Sequence, residues 1–285
     1  MRFLNSLFLT SLVLAGVAVG QQTPYSSATI SGLNARNIGS ATMSGRVAAL
    51  AANRESSGKL TIYVGAASGG VWKSEDGGTH YRPVFDEQPV QSIGALALDP
   101  KNPKNVWAGT GEPWVRNSVS IGDGIYKSTD GGETWNKAGL PNSERISQII
   151  ISPKSSNTVY AAVPGALWSD SSDRGLYKTT DGGKTWDLIL KGSNLSTGAS
   201  TIAMDPTNPN IVFAGLWDFR RKGWTYRSGG ETPNDPSGSG LFRTTDGGAT
   251  WKEITPEANK GFPKKPYGRL AVAAVDHWSR RGNAV

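Results

Sequence analysis

Cysteine is absent from the 285 residues. That absence excludes disulfide scaffolds, thiol nucleophiles, thiolate zinc sites, iron–sulfur clusters and a lipid-modified N-terminal cysteine. Histidine is nearly as scarce: His80 and His277 are the only two, and neither lies beside a nucleophile motif. A His-rich metal centre and a Ser-His-Asp hydrolase therefore both read poorly, and no metal or cofactor is expected. Long apolar runs are missing after residue 19, so no later segment is expected to span a bilayer. The one apolar run, Leu7 to Val19, follows Arg2 and leads into Ala18-Val19-Gly20, which reads as a signal peptide over 1–20 cut near Gly20/Gln21. The expected location is secreted, or the periplasm and cell envelope, where a cysteine-free protein is at home. Losing the signal lowers the formal charge from +7 to +6, a weak bias towards anionic ligands. The cations are scattered apart from Arg220-Arg221-Lys222 and Lys260 to Lys265, and no nucleic-acid motif accompanies them, so no nucleic-acid partner is expected.

What the chain has in excess is glycine, 36 residues, and tryptophan, 10 residues. Both follow from repetition. One octapeptide occurs four times, as Ser74-Glu-Asp76-Gly-Gly-Thr-His80-Tyr81, Ser128-Thr-Asp130-Gly-Gly-Glu-Thr-Trp135, Thr179-Thr-Asp181-Gly-Gly-Lys-Thr-Trp186 and Thr244-Thr-Asp246-Gly-Gly-Ala-Thr-Trp251. Its aspartates stand 54, 51 and 65 residues apart. A second element, Asp99-Pro-Lys-Asn-Pro through Trp107, Ser152-Pro-Lys through Tyr160 and Asp205-Pro-Thr-Asn-Pro through Phe213, recurs every 53 residues. Two motifs locked to one period, with four strand signals in each, predict an all-β propeller of four-stranded antiparallel blades. In the third unit the strands are read at Ile146 to Ile151, Thr158 to Val163, Gly175 to Thr179 and Lys184 to Leu190. The octapeptide then forms the hairpin between the third and fourth strands: Gly-Gly supplies positive φ, the aspartate accepts amide hydrogen bonds, and the tryptophan packs into the blade. Asp76, Asp130, Asp181 and Asp246 with Trp135, Trp186 and Trp251 are thus structural. His80 and Tyr81 replace Thr and Trp in the first copy, where a looser turn is expected.

The pattern S/T-x-D-G-G-x-T-W resembles the Asp-box or BNR repeat of sialidases, Vps10/sortilin-type propellers, xyloglucanase-type glycoside hydrolases and a photosystem II assembly factor. With Arg36-Asn-Ile-Gly, Gly65-Ala-Ala-Ser-Gly-Gly-Val-Trp72-Lys-Ser and Gly109-Thr-Gly-Glu112 added, residues 36 to 285 are most similar to the sortilin N-terminal-like propeller of large secreted bacterial proteins often labelled glycosyl hydrolases. The resemblance implies the fold, and it implies that the boxes lie away from any catalytic centre. The expected organisation is a signal peptide (1–20), an N-terminal segment able to lend a ring-closing strand (21–45), blades over 46–91, 92–144, 145–197 and 198–267, and the start of a fifth over 268–285. Four blades and part of a fifth do not close a ring of the size these families use, so a fragment of a longer propeller is expected, with blade number and oligomeric state left open.

In such blades the stereotyped turns share one end, and the irregular loops, Glu112 to Ile121, Pro164 to Arg174 and Trp217 to Ser239, share the other, where binding is expected. These loops carry Trp114, Trp168, Trp217, Trp224 and Tyr226 with Arg116, Arg220, Arg221 and Arg227. Aromatic faces beside charge suit glycan or peptide ligands, and also the blander role of packing loops onto blades. Alignment of the innermost strands sets Arg46, Arg145 and Arg269 at equivalent starts, a trio able to meet at one mouth and take an anion. The Arg-Ile-Pro motif of sialidases is missing there, since Arg46 is followed by Val47-Ala48. A glycosidase needs two carboxylates about 5 to 10 Å apart, and Glu112, Asp218, Glu231 and Asp235 are the candidates at the loop end. Glu112 stands out just past a strand, with Arg116 as its nearest partner in sequence. The chain is therefore expected to be a binding or interaction scaffold for peptide, protein or glycan ligands, with a glycoside hydrolase, sialidase- or xyloglucanase-like and completed by further blades, as the alternative.

Overall fold

Stretches such as Val159-Tyr-Ala-Ala-Val163 put β-branched and aromatic residues where a pleated, two-sided surface needs them, and glycine or Asx-Pro pairs interrupt them at every turn. In the computed structural model, which describes residues 46–116, 119–223, 225–228 and 237–274, they form four antiparallel sheets. The signal peptide and the segment to residue 45 lie outside the described residues. The first blade holds β1 (Val47–Arg54), β2 (Leu60–Ala66), β3 (Val71–Ser74) and β4 (Arg82–Pro83) in that order. The second holds β5 (Ile93–Leu98), β6 (Val106–Thr110), β7 (Ile125–Ser128) and β8 (Asn136–Lys137). The third holds β9 (Gln148–Ser152), β10 (Ser155–Val163), β11 (Gly175–Thr179) and β12 (Asp187–Leu190). The fourth holds β13 (Thr197–Met204), β14 (Val212–Lys222), β16 (Gly240–Thr244) and β17 (Lys252–Glu253), with β15 (Thr225–Ser228) paired to the overhang of β14. The chain is all-β, four blades of a propeller. No helix among the described residues is long and apolar enough to cross a membrane.

The core lies between blades rather than within them. Tyr63, Val71 and Phe85 of the first blade bury with Ile93, Val106, Tyr126 and Trp135 of the second, and comparable clusters fill the next two junctions. Each fully buried apolar side chain there contributes about 1.5–3 kcal/mol. Close approach at the inner strands requires glycine: a methyl built on Gly65 would lie 2.6 Å from Ile93 Cγ2, and one on Gly109 2.6 Å from Ile146 Cγ2. The third junction has Ala162 and Ala199 at these positions, small facing small. Leu270 sits against Gly215 in the same relation, although residues 268–274 form no strand and the rest of the expected fifth unit lies outside the described residues.

The four Asp-Gly-Gly turns are closed by one hydrogen-bond set. Both glycines are left-handed, with φ between 72 and 100°. Asp181 Oδ1 accepts from the amides of Lys184 and Thr185 and from the Thr179 hydroxyl, while Oδ2 accepts from the Thr185 hydroxyl at 2.6 Å. Asp130 and Asp246 repeat the pattern. These donors, the threonine hydroxyls foremost, hold the carboxyls far below the usual range. The first turn is not looser in its bonding, contrary to expectation: His80 Nδ1 lies 2.6 Å from Asp76 Oδ2 and does the work of the missing hydroxyl. Its aromatic residue is another matter. Trp135 Nε1 donates to Val84 O and Trp186 Nε1 to Ala138 O, both 2.7 Å, fastening each blade to its predecessor, whereas Tyr81 is 40% exposed and Trp251 Nε1 has no partner among the described residues.

The preceding blade grips the turn in return. Tyr63 donates its hydroxyl to Gly131 O and Tyr160 to Gly247 O, both at 2.9 Å. Lys127 and Lys178, lying over the Trp107 and Tyr160 rings, donate to Gly182 O and Gly247 O at 3.3 and 2.8 Å. Within a blade, Gly131 N bonds Lys104 O, Gly182 N bonds Asn157 O and Gly247 N bonds Asn210 O. These bonds fix both stereotyped turns at one end and leave the other to the irregular loops.

Candidate ligand-binding site

The loop after β6 organises the free end. Gly111 turns it at φ 85°, in a space so narrow that a methyl there would stand 1.9 Å from Glu144 O. Glu112 thereby points inward, and Trp114 points outward, 51% exposed. The Glu112 carboxylate is buried and paired with Arg46, 66 residues away, not with Arg116. Burial raises its pKa, opposed by the charges of Arg46, Arg116 and Arg145. Arg145 is 2% exposed, donates to Glu144 Oε2 at 2.9 Å and to Gly165 O at 3.2 Å, and has its pKa lowered by burial. The Nε atoms of Arg46 and Arg145 are buried with no partner among the described residues.

The outward half is aromatic. The Arg269 guanidinium lies 5.0 Å from the Trp114 ring and 5.6 Å from that of Trp217. Trp217 itself is buried, stacked 4.6 Å from Phe219 and donating Nε1 to Ser228 Oγ at 2.7 Å, so it is a floor rather than an open platform. Tyr226 leans edge-on against it at 6.2 Å and is 42% exposed. Leu167, Trp217 and Phe219 form a small core with Val115 and Val119, joining loops of three blades. Thus Arg46 and Arg145 face Glu112 while Arg269 stands over Trp114, and the three arginines bear on one loop from two sides.

The expected irregular loop from Trp217 is partly a hairpin: β14 runs on to Lys222 and pairs Arg221 with Tyr226 in β15. Asp218 falls inside it, fully buried, its carboxylate accepting from Asn194 Nδ2, Ser196 Oγ and Gly238 N. That is the bonding of a loop brace, not of a catalytic group open to substrate. Trp224, Glu231 and Asp235 lie outside the described residues. Arg116 is exposed, Arg220 pairs with Asp170, and Trp168 is 49% exposed. Sequence reasoning missed Arg174, which is buried 4.7 Å from Phe219 and donates to Pro164 O, Ala166 O and Ser169 O, bracing the 164–174 loop. Burial lowers its pKa to about 10. A cleft of about 540 Å³ lined by Phe213, Arg243, Trp251 and Ile254 lies at the opposite, turn-bearing end and has none of these groups.

The family described as Sortilin, neurotensin receptor 3 matches residues 69–213, about half of the chain. The chain belongs to the Sortilin-Vps10 family. This Sortilin-Vps10 chain is also similar to a xyloglucanase, Xgh74A, of Acetivibrio thermocellus, 24% identical over 230 residues that make up 72% of the chain and 25% of the relative. A probable oligoxyloglucan-reducing end-specific xyloglucanase of Neosartorya fischeri is 30% identical over 235 residues, 74% of the chain and 26% of the relative. The crystal structure of an ancestral GH74 enzyme shares the fold at a TM-score of 0.51 and 19% identity, over 76% of this chain and 26% of that one. The chain spans about a quarter of the length of the curated relatives it matches.

Proposed function

We propose that the chain is the binding scaffold of an exported Asp-box (BNR) propeller whose loop end takes a glycan. Residues 1–20 serve as its signal peptide in this reading. Trp114 carries the proposal: a large indole face held 51% open on a loop whose base is fixed by Arg46 and Glu112 suits the C–H face of a sugar ring. The xyloglucanase relatives support a glycan over a peptide or protein ligand. The test is affinity electrophoresis in gels containing xyloglucan, xylan or pectin. Retardation by one of them, weakened about tenfold or more in Trp114→Ala, is expected; migration unaffected by every polysaccharide would sink the reading.

A catalytic reading is favoured by one observation, the upward shift that burial gives Glu112, which a general acid needs. Against it stand the ion pair to Arg46 and the enclosure of Asp218. Cleavage of xyloglucan by the wild type that disappears in Glu112→Gln supports catalysis, whereas saturable binding without turnover supports the scaffold.

A further inference from the structure

We infer that the loop end selects saccharides that carry a carboxylate, uronic-acid polymers, over neutral ones. This rests on the glycan reading above and adds the ligand class. Four guanidinium groups bear on the 112–116 loop, those of Arg46, Arg116, Arg145 and Arg269, and they meet only Glu112 and Glu144 among the described residues. Arg46 uses Glu112 and Arg145 uses Glu144, yet each keeps a buried Nε–H with no acceptor among the described residues. Arg116 and Arg269 have no carboxylate partner among the described residues.

Arg269 is the informative one. Among the described residues its guanidinium lies against ring faces, and desolvation lowers its pKa. Arg269 is exposed beside the indoles, free to take a ligand from solvent, and a planar carboxylate supplies both the charge and the paired acceptors that a guanidinium fork fits. A neutral ring stacking on Trp114 competes with Arg269 for the indole face and gives that cation nothing. A uronate stacks on the open part of the face and turns its carboxylate to Arg269, so both groups are used at once. The net positive charge, +7 with the signal peptide and +6 without it, draws polyanions to the protein at long range, a contribution that salt screens.

The test uses two polymers that differ only in the masking of the carboxylate: polygalacturonate and its fully methyl-esterified form, titrated against the whole protein, with poly-glutamate as an anion of no sugar character. The wild type is expected to bind polygalacturonate about tenfold or more tightly than the ester, the worth of a charge-assisted hydrogen-bonded pair. Arg269→Gln is expected to remove most of that preference at an unchanged melting temperature, and Trp114→Ala to weaken both polymers. Equal affinity for acid and ester overturns the inference and leaves the glycan reading standing. Equal affinity for poly-glutamate, insensitive to Arg269→Gln, also overturns it, as diffuse polyanion attraction. Failure to bind either pectin form, xyloglucan or xylan overturns the glycan reading with it.

Discussion

The hydroxyl of Tyr160 donates to the carbonyl of Gly247, 2.9 Å away across the third junction, and Tyr63 does the same to Gly131 across the first. The acceptor is the left-handed glycine of the next Asp-Gly-Gly turn, and burial raises the Tyr160 pKa to about 12, so the phenol stays protonated and donating throughout the ordinary pH range. Tyr160→Phe removes that donor and little volume. It is expected to cost about 1 kcal/mol, or about 2–4 °C in melting temperature. An unchanged melt would show that the carbonyl is equally content with Lys178, which reaches it at 2.8 Å.

The indole nitrogens give a paired comparison. Trp186→Phe breaks the bond to Ala138 O, while Trp251→Phe breaks none among the described residues. The first substitution is therefore expected to destabilise by about 1 kcal/mol more than the second. Chemical denaturation of both variants checks the difference, and equal losses would remove the tryptophan clamp as a distinct contribution.

The close approach at the second junction makes a stronger prediction. Gly109→Ala places a methyl against Ile146 and is expected to destabilise by about 1–3 kcal/mol. Adding Ile146→Ala reproduces the Ala162 and Ala199 pair of the third junction and is expected to remove the clash, leaving only the smaller side chain's own cost. A double-mutant cycle in urea measures the coupling, and strict additivity would refute the packing account.

Acid dependence follows from the turn aspartates. Their folded pKa values are depressed, so the stability they add is fully present above the ordinary aspartate value near about 4 and is lost as pH falls below it towards the folded values. Asp181→Asn cannot titrate and is expected to be less stable than the wild type at neutral pH, with the gap narrowing under acid. Melting curves between pH 2 and 7 test the sign; a gap that widens on acidification would contradict it.

Turns were legible in the sequence because their chemistry is local: the side chains of Thr179, Asp181 and Thr185 and the amide of Gly183 close the turn among themselves. Period and strand order followed from the same repeats. The site was less legible, because its pairings cross blades. Arg116 is four residues from Glu112, yet the carboxylate takes Arg46 from the first blade, a choice set by the inward aim of the chain at Gly111. The 217–228 segment alternates aromatic and polar residues on both sides of Lys222-Gly223, but its charged residues read as loop, so its pairing shows only once β14 is seen to overrun its sheet. Reading His80 as a defect missed that an imidazole Nδ1 reaches the same oxygen as a threonine hydroxyl.

Every junction is joined head to tail by the same parts: an aromatic and a cation on one blade, a glycine turn on the next. Phe213 and Arg243, 5.8 Å apart, present on the fourth blade the aromatic–cation pair that the first three use as Tyr63 and Lys73, Trp107 and Lys127, and Tyr160 and Lys178. The inner strands are less uniform: Gly65 faces Ile93 and Gly109 faces Ile146, whereas Ala162 faces Ala199. A third blade copied in tandem would set Ala162 against the copy's Ile146, the crowding that Gly109 avoids at the second junction, so the polar grip is shared along the series while the inner strands decide which blades fit side by side.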